Sequence, residues 1–315
     1  MEPDDSLQRY QQRASIDADA IAAAAHVPIA TYTELAPCYA HIADWAHRRA
    51  KHHDGLWTLG IQGVQGAGKS TLASCLAELL RREGGLRVAT MSIDDLYFTR
   101  SQRRVLAREV HPLLQTRGVP GTHDVLLGRD TIAALREGKP IKLPRFDKAA
   151  DDRVPEADWL TAEPPVDVLL FDGWFLGAGA PPVAQLGEPI NALERDEDPD
   201  GRWRNHVCTQ LRERYPPLWR ELDALCMLQA PDAECGFTWR WHAEQRTRSA
   251  LEARGADTSQ LMDEQQVRRF VDLDMRIARF ALATLPANAD AIVRLNAARR
   301  VTNLRFNAVS TIGSD

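Results

Sequence analysis

The sequence predicts an α/β fold of three layers, with a mainly parallel sheet, a helical N-terminal extension and a lid. Three observations carry that expectation. Apolar, strand-like runs alternate with helical segments from Leu56 to Leu295, the pattern of parallel strands joined by crossover helices. A glycine-rich turn from Gly63 to Ser70 joins the first strand to the first helix. Residues 1–55, ahead of that strand, carry apolar positions at helical rather than strand spacing.

In chain order, Ile21, Ala24, Ala25, Val27 and Ile29 form one apolar patch, and Tyr39, Ile42, Trp45 and Ala46 recur at i, i+3, i+6 and i+7. That spacing predicts a helical N-terminal cap over residues 1–55, packed on a domain spanning residues 56–315. Strands are predicted at Leu56–Ile61, Arg87–Ile93, Val166–Phe171, Ala224–Gln229 and Ala291–Leu295. Helices are predicted at Thr71–Arg82, Asp130–Glu137, His206–Trp219 and Glu264–Leu285. The last of these opens with Asp263 three residues before Gln266, a capping-box start, and stops at Pro286. Leu143–Pro165 is charged and proline-bearing and is expected to form a hairpin or loop over the site. Gly177–Gly201, with its prolines and the run Glu194-Arg195-Asp196-Glu197-Asp198, is expected to be a mobile surface loop.

Bulk properties narrow the function classes. A chain of 315 residues can bury a sizeable core as one large domain or one domain with appendages. The net charge of −5 does not suggest a nucleic-acid or membrane surface. Five cysteines without C-x-x-C spacing read as reduced thiols. No apolar run approaches a membrane span, and the acidic start MEPDDS lacks the basic and apolar regions of a secretory signal. The expectation is a cytoplasmic protein that acts on a small molecule, with no nucleic-acid or membrane partner.

The turn GVQGAGKS matches the phosphate-loop pattern of Gly, four free positions, Gly, Lys, then Ser or Thr, between a strand and a helix. Gly63, Gly66 and Gly68 are expected to take positive φ and let the backbone approach phosphate oxygens. The successive N–H groups of the loop, that of Ala67 included, would form an anion nest, reinforced by the positive end of the following helix. Lys69 would supply a point charge to the β and γ phosphates, Ser70 a hydroxyl to Mg²⁺, and Thr71 a contact to the α phosphate. The implied ligand is a nucleoside triphosphate with magnesium.

Further along, the apolar strand Val168-Leu169-Leu170-Phe171 ends in Asp172, where an acid beside the phosphate loop would hold Mg²⁺. Gly173 permits a tight exit, and Trp174 is a candidate pocket residue. Ser92-Ile93-Asp94-Asp95-Leu96-Tyr97 closes the second strand with two acids on the side where ligands bind. Asp94 is the candidate general base for an attacking hydroxyl, with Asp95 and Tyr97 on the acceptor side; a helix N-cap is the structural alternative for these acids. Three basic clusters follow: Arg117 with His123 in RGVPGTHD, Arg145 with Lys148 in LPRFDK, and Arg240 with Arg246 in WRWHAEQR. Anionic substrates and a migrating phosphoryl group need such cations, and a lid arginine can neutralise the transferred group.

Taken together, GVQGAGKST, SIDDLY, RGVPGTHD, LPRFDKAADDR, LLFDGW and WR-x-x-x-E resemble, in the right order, the P-loop small-molecule kinases that include phosphoribulokinase, uridine kinase and bacterial pantothenate kinase. Within that group the likeness is to D-glycerate 3-kinase of the plant type and its bacterial relatives. The resemblance implies a P-loop NTPase fold and ATP-dependent phosphorylation of a small hydroxyl compound, for the glycerate kinases D-glycerate going to 3-phosphoglycerate. It gives Asp94 the base role, assigns ATP and Mg²⁺ to Gly66, Gly68, Lys69, Ser70 and Thr71, and puts Arg117, His123, Arg145 and Lys148 at the acceptor and Arg240 in the lid. The chain departs from the family pattern at Asp172 in place of Glu, at Ala243 in place of Gln, and at Leu273-Asp274-Met275 in place of a tyrosine-proline element. A kinase for pantothenate, a nucleoside or a sugar phosphate is the alternative reading, the nucleoside being kept open by Phe146, Trp174, Trp239 and Trp241. A non-catalytic ATP-dependent sensor is a further one. A guanine-specific switch is not expected, because no N-K-x-D run occurs. Asn296 and Arg299, after the last predicted strand, are candidates for the adenine side.

Overall fold

Residues 3–259 and 261–307 are described by the computed structural model. Three helices, α1 (Pro3–Ile16), α2 (Ala18–Ala24) and α3 (Ile29–Lys51), precede β1 (Trp57–Gly63) and α4 (Lys69–Arg82). Strand β2 (Val88–Ser92) runs into a 3₁₀ turn at Ile93–Leu96, followed by α5 (Arg100–Glu109) and α6 (Val125–Arg136). Two short ladders come next. β3 (Ile141–Lys142) pairs antiparallel with β6 (Thr161–Ala162), and between them β4 (Phe146–Asp147) pairs with β5 (Asp152–Arg153). The chain continues through β7 (Val168–Gly173), α7 (Ala192–Glu197), α8 (Arg202–Arg214), α9 (Pro216–Trp219), β8 (Ala224–Gln229), α10 (Cys235–Glu252), α11 (Glu264–Thr284), β9 (Ala291–Leu295) and β10 (Val301–Phe306).

The central sheet has the order β10-β9-β8-β1-β7-β2, parallel throughout except for β10. Every residue of β1 and β7 is buried. Strands covered by helices on both faces bury both sets of side chains, which is why these runs read as continuously apolar rather than alternating. The antiparallel edge strand β10 was not anticipated. Its burial is only partial and its exposed Thr302, Asn303 and Arg305 dilute the apolar signal.

The N-terminal stripe does what its spacing suggests. Tyr39, Ile42, Trp45 and Ala46 are all buried on α3, and Trp45 meets the ring of Trp57 on β1 edge-on at 5.8 Å and stacks on Phe306 of β10 at 5.4 Å. Helix α11 carries the full capping box: the Asp263 carboxylate accepts from the Gln266 N–H at 2.8 Å, and the Gln266 side chain accepts from the Asp263 N–H at 2.9 Å. Helix α6 starts five residues before the sequence suggested, because Asp124 caps it by accepting from the Leu127 N–H at 3.1 Å.

The largest correction concerns Gly177–Gly201. It is not a loose loop. It contains α7 and is tied to the body by two buried charge pairs. Arg276 of α11 donates to both oxygens of Glu194, at 2.8 and 2.5 Å, and to the carbonyls of Gln185 and Glu188 at 2.6 and 2.7 Å. Arg204 of α8 donates to Asp198 at 2.9 Å and to the carbonyl of Leu186 at 2.7 Å. Glu194 and Asp198 are 1% and 0% exposed. The acidic run read as solvated therefore holds two acids buried against arginines supplied from elsewhere in the chain.

Removing one partner of a buried pair strands the other charge. Arg276→Met should lower stability by about 3–5 kcal/mol, read from the urea midpoint, and Arg276→Met combined with Glu194→Leu should recover most of the loss. A single variant that unfolds like the parent would show that the pair does not anchor this segment.

Candidate functional site

Three parallel strands end level with one another and build the site. In register, Ile61 of β1 lies beside Asp172 of β7, which lies beside Ser92 of β2. The phosphate loop leaves β1, the acid terminates β7, and the acidic turn leaves β2, so all three open on one cavity. Its wall includes Gln65, Gly66, Gly68, Lys69, Ser70 and Thr71 from the loop and α4, Asp94 and Tyr97 from the turn, and Asp172, Gly173 and Trp174 after β7. Arg117, Lys148, Arg240, Phe270 and Arg299 close it from outside the sheet.

Gly66 and Gly68 have φ of +73° and +97°, a region costly for a residue with a Cβ. At Gly66 space is also decisive: a Cβ there would stand 2.7 Å from Cβ of Trp239, so α10 rests directly on the loop. Gly63 departs from expectation. Its φ is not positive; it ends β1, buried, where a Cβ would come within 2.9 Å of Leu228 Cβ. Its smallness serves strand packing, not approach to phosphate. Ala67 is likewise off the cavity wall, and its N–H is spent inside the loop on the Val64 carbonyl at 3.2 Å.

Lys69 folds back to donate to the Val64 carbonyl at 3.1 Å. Burial lowers the pKa of its ammonium, against the pull of Asp172 and Asp94. Ser70 and Ser92 both donate to Asp172 Oδ1 at 3.3 Å. Burial raises the Asp172 carboxyl to about 6, opposed by Lys69 and reinforced by Asp94. Two hydroxyls and a carboxylate converge here, a set of hard oxygen donors of the kind a magnesium ion takes.

The acids after β2 have separate environments. Ser92 caps the 3₁₀ turn, accepting from the Asp94 N–H at 3.3 Å. Asp95 completes that capping box, accepting from the Ser92 N–H at 3.1 Å with one oxygen and from the Phe146 N–H at 3.2 Å with the other. It is absent from the wall of this cavity and lines an adjoining recess with Asp94, Lys148 and Asp172, where both of its oxygens brace backbone and join the turn to the hairpin. Asp94 points into the cavity. Tyr97 donates its hydroxyl to Oδ1 at 2.9 Å, and the Lys148 ammonium sits 2.6 Å from Oδ2. Burial works against ionisation of Asp94, but Lys148, Tyr97 and Lys69 outweigh it and hold the carboxyl at about 2.

Arg117 lines the cavity while paired with Asp151 of the hairpin and lying over the Phe146 ring at 5.5 Å. Arg240 lines it from α10, paired with Glu244 one turn on. His123 and Arg145 do not line it. His123 is 3% exposed, its ring packed on Tyr97 at 4.5 Å and its Nδ1 bonded to the Tyr215 hydroxyl at 2.8 Å. Burial pushes its pKa down to about 3, so this neutral ring backs Tyr97 and offers no charge to an acceptor. Arg145 is exposed at an adjoining recess shared with Ser92, Asp95 and Phe146.

Sequence reasoning missed Gln65 and Phe270 on the wall and the part that Asp274 plays behind Gln65. Asp274 of α11, 3% exposed, accepts from the Gln65 side chain and is pushed well above the usual carboxylate range by burial, against the pull of that hydrogen bond. A signal was available: an acid sits between Leu273 and Met275 in the buried run of an amphipathic helix. Arg299 does reach the wall, donating to the Gly66 carbonyl at 3.0 Å. Trp239 pins α10 by donating to the Ala297 carbonyl at 2.8 Å.

No helix among the described residues is long and apolar enough to cross a membrane. No protein-family model matches the chain. The chain is 31% identical over 261 residues to the protein named uncharacterized kinase mug58 of Schizosaccharomyces pombe, covering 78% of this chain and 87% of that one. It is 31% identical over 241 residues to the chloroplastic D-glycerate 3-kinase of Arabidopsis thaliana, covering 73% of this chain and 48% of the plant protein, so it spans about half the length of that relative. Among solved structures, D-glycerate 3-kinase from Cryptococcus neoformans var. grubii superposes with a TM-score of 0.71 at 24% identity, over 86% of this chain and 99% of that one, which shows the shared fold. A phosphate loop facing strand-end acids, in a chain with these relatives, leads to one assignment: the protein belongs to the family of P-loop kinases that contains D-glycerate 3-kinase, and it is a phosphotransferase with a hydroxyl acceptor.

Proposed function

We propose that this kinase transfers the γ-phosphoryl group of ATP to D-glycerate, giving 3-phosphoglycerate. The observation that carries the reading is Asp94, held across the cavity from the phosphate loop between a hydroxyl donor and the cation Lys148. The acceptor oxygen bonds to the γ-phosphorus, the bond to the bridging oxygen of ADP breaks, and the hydroxyl proton passes to Asp94. Lys69 and Arg240 balance charge on the phosphoryl group as it moves. Ser70 and Asp172, with Ser92 behind them, would hold Mg²⁺, which supplies charge neutralisation on the phosphate oxygens when bound.

The cavity favours a small anion over a nucleoside. Arg117 and Lys148 supply positive charge on the acceptor side, whereas the aromatic faces there are already covered. Tyr97 lies against His123 and Phe146, Trp174 packs on Phe175 at 4.6 Å, and Trp174 spends its N–H on the Gly118 carbonyl. Of the aromatic residues on the wall, Phe270 alone has no ring partner, so the wall offers a base little on which to stack. A panel of D-glycerate, pantothenate, nucleosides and sugar phosphates with coupled ADP detection tests the reading. Turnover confined to D-glycerate is expected; a preference for a nucleoside would overturn it.

Asp94→Asn should lower kcat by about 10²–10⁴-fold while ATP affinity stays close to that of the parent; near-normal turnover would remove Asp94 from the base role. Asp172 gives a pH test. Its pKa of about 6 means that it takes up a proton as pH falls through that value, whereas Asp94 at about 2 stays ionised. Mg²⁺-dependent ATP affinity, measured by calorimetry, should therefore weaken between about pH 7 and pH 5, because a protonated carboxyl is a poor ligand. Asp172→Asn should flatten that dependence.

A further inference from the structure

The cations on the cavity wall are engaged within the protein: Arg117 with Asp151, Arg240 with Glu244, Lys69 with the Val64 carbonyl, Arg299 with the Gly66 carbonyl and Lys148 with Asp94. Only in the last case is the partner the candidate base itself. Asp94 Oδ1 takes the Tyr97 hydroxyl and Oδ2 takes the ammonium, while the Asp94 side chain keeps 27% of its surface exposed, so an acceptor hydroxyl that approaches Oδ2 competes with a cation already there. The two partners differ in how firmly they are held. Tyr97 is 3% exposed, clamped by His123 and Phe146. Lys148 sits in the turn of the β4–β5 hairpin with its side chain 63% exposed. An ammonium on a flexible, solvated stem leaves such a contact at little cost when another anion is offered.

We infer that Lys148 is an acceptor-responsive latch on Asp94: its ammonium covers Oδ2 until an anionic group of the acceptor draws it away, and only then does the hydroxyl reach the base. The inference rests on Asp94 being that base. Two consequences follow. An anionic acceptor unlatches the site and an uncharged alcohol does not, so charge is selected at the chemical step as well as in binding. Water, which carries no anionic group, meets a covered base. In hydrolysis, water oxygen would bond to the γ-phosphorus, the bond to ADP would break, and the proton would go to the same Oδ2; the latch restrains this wasteful reaction.

The test is ADP release by the full-length protein with Mg·ATP alone, with glycerol, and with D-glycerate, for the parent, Lys148→Met, Lys148→Arg and Asp94→Asn. In Lys148→Met, acceptor-free hydrolysis should rise about tenfold, and the preference for D-glycerate over glycerol in kcat/KM should fall by at least as much. Lys148→Arg, which keeps a cation beside Asp94, should hydrolyse ATP more slowly than Lys148→Met when no acceptor is present, and adding Asp94→Asn to Lys148→Met should return hydrolysis to the parent level or below. If Lys148→Met leaves acceptor-free hydrolysis unchanged and only raises the KM for D-glycerate, Lys148 is a plain acceptor anchor and the latch is refuted. If Asp94→Asn alone keeps near-normal transfer, the base assignment fails and the latch with it. The acceptor-free arm does not depend on which acceptor is correct, so a wrong substrate and a wrong latch give different results.

Discussion

The position of β7 between β1 and β2 is the constraint on which the rest of this molecule depends. Because all three strands are parallel, their carboxyl ends lie at one level, and the register Ile61–Asp172–Ser92 sets an acid between the phosphate loop and the acidic turn. A slip of one residue would turn Asp172 to the opposite face of the sheet. It would take the carboxylate away from both Ser70 and Ser92. The full burial of β1 and β7 makes such a slip costly, since apolar side chains on both faces would lose their neighbours. The chemistry of the cavity is thus fixed by packing well away from it.

What could be read in the sequence was what is encoded locally. The phosphate loop, the strand ending in Asp172, the α11 capping box and the α3 stripe each depend on residues within a few positions of one another, and each is found where its spacing suggested. What could not be read depends on partners far along the chain. The capping alternative for Asp95 was legible, but not its second contact, because the Phe146 N–H that it holds lies 51 residues away. His123 looked like an acceptor ligand because Tyr97 and Tyr215, which bury it, come from two other segments. Gly63 carries the first letter of the loop motif, yet its small size answers to Leu228 on a neighbouring strand. Glu194 looked solvated because its partner Arg276 lies 82 residues on.

Helix α11 shows how one element joins these distant parts. Its buried face is mostly apolar, with Val267, Val271, Met275 and Ile277, but it also buries Asp274 and Arg276. Each of these polar groups is answered from elsewhere: Asp274 by Gln65 of the phosphate loop, Arg276 by Glu194 and two backbone carbonyls. Buried polar groups without partners would destabilise the helix. With these partners they fix its position relative to the loop on one side and α7 on the other. Phe270, one turn before Asp274, is thereby held on the cavity wall.

The cavity gathers more positive charge than its two wall acids, Asp94 and Asp172, can balance, a disposition suited to a polyanionic ligand. Unpaired cations in a half-buried site would be costly and would take up many orientations. Arg117 and Arg240 avoid that by resting on Asp151 and Glu244, neither of which lines the cavity, so they are held from behind. Lys148 alone rests on an acid that itself faces the cavity. Arginine suits the first arrangement because its planar fork can engage two partners at once, and lysine suits the second because a single compact charge must leave one anion to meet another. On the proposed latch, the residue type at each position follows from whether the internal contact is kept or exchanged when a ligand arrives.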